Sequence, residues 1–216
     1  MIRSRKARIG FRMLYCALAV LGFVAQLGLF QGTLNRSYLV FYTNLSNLLC
    51  MFFMFFSLFA AVAEKRPRDF APAVKFVFLI MILVTFLLYN ILLSDYPSVA
   101  AYFSSLKNGL NHCILPILFV LEWFLFYERG KTRWSWPLLA MLPPFCYVVF
   151  ILVRARMLAI LCRLAPVVYP YYFLNLKKLG WPGFLRWMAI LLAAFLALGY
   201  ALCALDRRLG NKVKKT

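Results

Sequence analysis

The chain is organised as six long apolar runs separated by short polar connections. The runs occupy positions 11–30, 39–63, 74–93, 110–126, 136–153 and 184–205. About 20 apolar residues in a helix rise about 30 Å, which matches the hydrocarbon core of a bilayer. Lipid offers no hydrogen bonds to the backbone, so a spanning segment must satisfy its own, and a helix does so. No alternating pattern of about ten residues points to a barrel. The pattern predicts an all-α, polytopic six-transmembrane-helix bundle forming a single integral membrane domain over 1–216, with a basic N-terminus at 1–10 and a basic tail at 206–216.

Two places depart from a simple count of spans. The fourth run is short unless its helix begins before His112. The stretch 157–176 is apolar enough to invite a seventh crossing. Crossing there would bury Arg163, Pro166 and Pro170 in lipid and send the basic tail to the other side. An interfacial or re-entrant segment between the fifth and sixth helices fits better. The row Tyr169, Pro170, Tyr171, Tyr172, Phe173 suits the aromatic belt at a headgroup boundary.

Composition removes the soluble alternatives. Hydrophobic residues are 65% of the chain and charged residues 14%, against roughly half and a quarter in soluble domains. Lys and Arg number 25 against six Asp and Glu, a net charge of +19. With the N-terminus cytoplasmic, 17 of the basic residues fall on the inner side, among them Arg3, Arg8, Arg12, Lys65, Arg66, Arg68, Lys75, Lys214 and Lys215. Eight fall outside, and six of those cluster between the last two helices: Arg154, Arg156, Arg163, Lys177, Lys178 and Arg186. Charge confined to helix flanks orients a membrane protein and meets anionic headgroups, so nucleic acid is excluded as a partner and membrane lipids are expected. A basic start before an apolar run also resembles a signal peptide, but with five further runs a retained first helix is expected. The six cysteines show no CxxC spacing and read as buried free thiols. No phosphate-binding, dinucleotide or zinc-protease motif occurs, and with one histidine no metal site or cofactor is expected.

In hydrocarbon, each polar side chain needs a partner or a task. Thr43, Asn44, Ser46 and Asn47 sit near the outer start of the second helix, with Thr43 and Asn47 one turn apart on one face. They serve either as glue between helices or as the lining of a site. His112, preceded by Asn111, opens the fourth helix, and its carbonyl lacks the usual donor because Pro116 has no amide hydrogen. A histidine titrates near neutrality and so can act as general base or acid. Asn90 and Arg154 mark the outer ends of the third and fifth helices, and Tyr169 follows in the connecting segment. Arg154 either snorkels to headgroups or holds a carboxylate or phosphate. Five separated parts of the chain thus bring polar groups to one outer layer, which predicts a shared pocket holding Thr43 and His112. Glu122, about 15 Å deeper than His112 along the same helix, is a buried acid of unknown role.

Phe-Tyr-Thr-Asn-Leu-Ser-Asn-Leu-Leu at 41–49, Asn-His-Cys-Ile-Leu-Pro at 111–116, Glu-Trp-Phe-Leu-Phe at 122–126, Leu-Val-Arg at 152–154 and Tyr-Pro-Tyr-Tyr-Phe-Leu at 169–174 resemble the Pr6Pr family of bacterial six-helix membrane proteins. The likeness covers about 10–205; Glu122 stands where an Asp is expected, Val168 where a Trp is more usual and Tyr172 where a second Pro is. The resemblance implies a multi-pass protein of the bacterial cytoplasmic membrane with both termini cytoplasmic. Pr6Pr proteins are distantly similar to the androgen-induced group of eukaryotic membrane hydrolases, in which a threonine and a histidine are implicated in hydrolysing fatty-acid esters of hydroxy fatty acids. By motif order Thr43 matches that threonine and His112 that histidine, implying a Thr/His-dependent hydrolase with a fatty-acid ester substrate. In that chemistry Asn44, Ser46, Asn47, Asn90 and Asn111 would line the site or supply oxyanion donors, and Arg154 with Tyr169 would meet a substrate carboxylate or headgroup. The alternatives are a small-molecule or lipid transporter and a non-catalytic structural membrane protein.

Overall fold

The computed structural model describes residues 2, 4–63, 70–162 and 164–213. Arg3, Lys65, Arg66, Arg68, Arg163, Lys214 and Lys215, counted above among the basic residues, lie outside it. Six helices among the described residues are long and apolar enough to span a membrane: α1 (Arg5–Leu27), α2 (Tyr42–Ala63), α3 (Pro72–Leu93), α5 (Leu106–Phe126), α6 (Trp136–Ile160) and α7 (Leu176–Val213). A short helix α4 (Val99–Ser104) lies between α3 and α5. The protein is an all-α polytopic bundle, with no β-sheet among the described residues.

Helix limits differ from the apolar runs wherever hydrogen bonding outlasts hydrophobicity. α6 continues through Arg154 and Arg156 to Ile160, because nothing in the backbone forbids another turn. α5 begins at Leu106, so His112 stands within a helix rather than at its mouth. α1 starts on Ser4, whose side chain accepts from the Ala7 amide at 3.3 Å, and stops at Gly28 in the left-handed region. α7 starts at Leu176, well before the apolar run, and bends at Gly180 (φ 63°), two residues before Pro182. Between α6 and α7 the described chain is irregular apart from one 3₁₀ turn, Tyr172–Leu174. Tyr171, Phe173 and Leu174 are buried, so this segment folds back onto the bundle and is no seventh helix.

The helices are unequally packed. Of α5's apolar window 56% is buried inside the protein, against 22% for α6 and 11% for α7. Exposed side chains such as Phe59, Phe145 and Leu185 form a surface suited to lipid tails. All six cysteines are unpaired; Cys16, Cys50 and Cys203 are buried as expected, whereas Cys146 and Cys162 are exposed, because the faces of α6 and its exit turn away from the core.

At the end of the bundle carrying the termini, charge rather than apolar contact joins the helices. Arg12 of α1 donates through Nε (2.9 Å) and Nη2 (2.7 Å) to Oε1 of Glu122 on α5. Its Nη1 donates to the Ser57 carbonyl of α2 at 2.6 Å. Lys75 of α3 approaches the other oxygen of Glu122, Oε2, at 2.6 Å. One carboxylate therefore ties α1, α3 and α5 together, with α2 held through its backbone. Arg12, Lys75 and Glu122 are almost fully buried. Arg12 and Lys75, expected at the headgroups, are instead internal, because Glu122 offers them an anion that lipid tails do not. Around this centre Arg8 donates to the Phe126 carbonyl, and Asp206 accepts from the Thr132 amide at 3.1 Å while facing Arg129 at 3.6 Å.

Candidate functional site

At the opposite end of the bundle the buried polar side chains are amides, hydroxyls and one imidazole rather than ions. Both α3 and α5 widen there into a π-helical turn, Tyr89–Leu93 and Leu110–Ile114. Such turns expose backbone groups that a regular helix would satisfy, and they recur at functional sites. The two turns face each other. The Tyr89 ring stacks on the His112 imidazole, with centroids 3.5 Å apart and planes 5° from parallel. Asn90 donates to the His112 carbonyl at 3.0 Å, supplying the hydrogen bond that Pro116 removes.

Thr43 stands in the first turn of α2, where backbone amides lack helical partners. Its N–H is accepted by the Tyr171 hydroxyl at 3.3 Å, so the segment before α7 caps α2. Burial pushes the Tyr171 hydroxyl pKa upward, so the phenol keeps its proton at neutral pH. Thr43 and His112, 69 positions apart by their numbers, line one cavity of about 270 Å³. Tyr89, Lys107, Asn108, Pro170 and Tyr171 line it too. Thr43 and His112 are both largely buried, and Nδ1 of His112 has no hydrogen-bond partner among the described residues.

The other expected site residues are brought to this layer but used differently. Asn44 donates to the Tyr38 carbonyl at 2.9 Å. Asn47 donates to the carbonyls of Thr43 (2.8 Å) and Asn111 (3.0 Å), joining α2 to α5. Asn111 donates to the carbonyls of Gly22 (3.0 Å) and Lys107 (2.9 Å), joining α5 to α1. This contact requires Gly22, since a Cβ there would stand 2.8 Å from Asn111 Oδ1. Ser46 pairs with Thr85 of α3, hydroxyl to hydroxyl at 2.6 Å. Asn47 and Asn111 therefore spend both amide hydrogens on the backbone and have none left for an oxyanion. Asn90 is exposed and holds backbone carbonyls, and Arg154 donates to the Val168 carbonyl at 3.1 Å. Neither Arg154 nor the half-buried Tyr169 is among the residues lining the cavity; their neighbours Pro170 and Tyr171 are. Asp95, the one acid with a path to His112 from the outer loop, is exposed. Glu122 takes its place at the far end of the bundle as counter-ion to Arg12 and Lys75.

Several residues that matter here escape a reading of isolated polar positions. Thr85 is a single hydroxyl inside an apolar run, and Tyr89 and Lys107 look like ordinary interfacial residues. Their signal is depth: each lies within a turn or two of the level of Thr43 or His112 once six helices are drawn. Two further cavities follow in series from the first. A constriction of about 50 Å³ shares Thr43, Leu93 and Tyr171 with it and is otherwise walled mainly by α3, α6 and α7. That constriction in turn shares Pro144, Val148, Leu191 and Phe195 with an apolar cleft of about 480 Å³ between α6 and α7. Among the described residues no group of three or more His, Cys, Asp or Glu stands together as a metal site. Compared with known proteins, the chain matches no family, no curated protein and no solved structure, so its polytopic membrane architecture is the level at which it is identified.

Proposed function

We propose that the protein is an intramembrane hydrolase of lipid or fatty-acid esters, with Thr43 as nucleophile and His112 as general base. The observation that carries this reading is that Thr43 and His112, both buried, line one cavity and the imidazole keeps an unpartnered nitrogen. Most neighbouring amides and hydroxyls of the layer are spent on helix contacts, whereas Nδ1 of His112 has no partner among the described residues.

His112 accepts the Thr43 hydroxyl proton as the oxygen attacks the ester carbonyl, giving a tetrahedral oxyanion. The oxyanion collapses, the C–O bond to the alcohol breaks, and the alcohol leaves with the proton from His112. Water, deprotonated by His112, then attacks the acyl-threonine, and the free acid departs as Thr43 regains its hydrogen. Tyr171, which lines the cavity, would supply the oxyanion donor, since Asn44, Asn47 and Asn111 donate to carbonyls and Asn108 donates to the Tyr96 hydroxyl. Lys107, which lines the cavity, takes the role of carboxylate partner in place of Arg154. The Tyr89 stack and the Asn90 bond fix the imidazole plane and the backbone behind it, in place of a triad carboxylate. The Pr6Pr likeness, a bacterial plasma membrane and cytoplasmic termini belong to the same reading. A transporter is disfavoured because broken helices in that class meet near the midplane, whereas both π turns here lie toward one end.

Purified protein is to be treated with a fluorophosphonate probe and a panel of fatty-acid esters. Wild type and S46A are expected to label and turn over substrate, while T43A and H112A lose roughly 10²- to 10⁴-fold in rate. Absence of labelling and turnover in wild type, or full activity in folded T43A, would refute the assignment.

A further inference from the structure

The cleft between α6 and α7 is a feature that ester hydrolysis at Thr43 does not explain. Its walls are Met141, Leu142, Phe145, Val149 and Leu152 on one side and Phe184, Met188, Leu192 and Phe195 on the other, with Pro144, Val148 and Leu191 between. The two helices run antiparallel, and the cleft follows each over eleven residue-to-residue steps, 141–152 and 184–195. At 1.5 Å per residue that is about 16 Å, half of a hydrocarbon core of about 30 Å, the depth of one leaflet. The cleft is as long as one lipid tail and as apolar.

Its mouth is basic. Positions 145, 149, 152 and 156 follow one another at helical spacing, so Arg156 stands one turn beyond Leu152 on the cleft-lining stripe. Arg154, two residues earlier, lies on another face of the helix and donates to the Val168 carbonyl, while Lys177, Lys178 and Arg186 are exposed on the opposing stretch of chain around the kink at Gly180. No Asp or Glu occurs from 129 to 205, so this charge has no protein partner of opposite sign within the segment. It also stands on the side where positive-inside bias disfavours it. An apolar slot one leaflet deep under a rim of unopposed cations matches a tail joined to an anion.

We propose that the α6–α7 cleft is a binding site for one anionic phospholipid, a tail between the helices and the phosphate on Arg156. The lipid completes the packing of α7, the least buried of the spanning helices. This site stands apart from the Thr43–His112 chemistry and does not depend on it.

The test uses the full chain carrying T43A, so that no turnover confuses binding, in nanodiscs and by native mass spectrometry. The lipids are phosphatidylglycerol, phosphatidylcholine with the same tails, and a free fatty acid, with glycerol phosphate as soluble competitor. Wild-type cleft residues are expected to retain one phosphatidylglycerol per chain, about tenfold preferred over phosphatidylcholine and undisturbed by glycerol phosphate. R156Q is expected to lose the preference while keeping tail binding, and V149W, which fills the cleft, to lose both. Equal retention of the two phospholipids, tighter binding of the free acid, or a preference unchanged in both variants would overturn the proposal. Should V149W not fold, the R156Q result decides alone.

Discussion

The two ends of this bundle solve the same problem in opposite ways. Each buries polar side chains from α2, α3 and α5, and the terminal end adds Arg8 and Arg12 of α1. At the terminal end the groups are charged, and Arg12, Lys75 and Glu122 consume one another through contacts of 2.6–2.9 Å. At the other end they are neutral amides and hydroxyls, and a cavity of about 270 Å³ lies among them. Buried charge tolerates no vacancy, because an unpaired ion in a low dielectric costs several kcal/mol. Neutral groups tolerate one, at roughly 1–3 kcal/mol each. The lesson is that polarity alone does not mark a site in a membrane protein. Glu122 is the most conspicuous polar residue of the apolar runs and is saturated, while the less expensive His112 retains an open nitrogen.

The contrast predicts a large effect at one end and graded effects at the other. Glu122→Gln leaves Arg12 and Lys75 facing each other without an anion, and should cost about 3–5 kcal/mol. The loss is to be read as a drop in the detergent or denaturant midpoint of the purified protein. Replacing all three together, R12M/K75M/E122L, should recover most of that stability. Recovery would show that the cluster specifies helix pairing more than it adds net stability; a triple variant as unstable as E122Q would break the comparison.

Gly22→Ala tests the neutral end, where α1 and α5 approach closely. The new Cβ meets Asn111 Oδ1 at 2.8 Å and Leu115 Cδ1 at 3.3 Å, an overpacking worth about 1–3 kcal/mol. The same midpoint measurement checks it, and Asn111→Ala in the G22A background should relieve the steric part.

Asn90→Leu is the smallest of the three. It withdraws the donor from the His112 carbonyl, a bond worth about 1 kcal/mol in a membrane setting. Under the hydrolase reading, ester turnover should fall by roughly fivefold while the midpoint moves little, since about 1.4 kcal/mol corresponds to tenfold in rate. Unchanged turnover would reduce Asn90 to helix glue.

Much of the architecture is legible in the chain because the bilayer imposes one length and one hydrogen-bonding rule on every segment. Six apolar runs of about that length leave six helices as the economical solution. The layer containing Thr43, Asn90 and His112 is legible for the same reason, since fixed helix lengths turn position along the chain into depth. Partner choice is not. Arg12, Lys75 and Glu122 each look, in isolation, like the flank of an apolar run. Their shared depth hints at contact, but only the azimuth of three helices makes them one cluster. Asn111 illustrates the reverse case: it reads as a site donor, and the approach of Gly22 turns it into a helix clamp.

The sequence by itself determined that the chain lives in a membrane, that it folds as helices, and roughly how deep each polar side chain lies. Tertiary structure alone decided which of those side chains meet, and so which are spent and which stay open. Depth follows from hydrophobicity summed over a segment, a local property that survives averaging. Pairing depends on how each helix is rotated and how closely its neighbours pack, and a change of one residue in register or of one methyl group at Gly22 alters it.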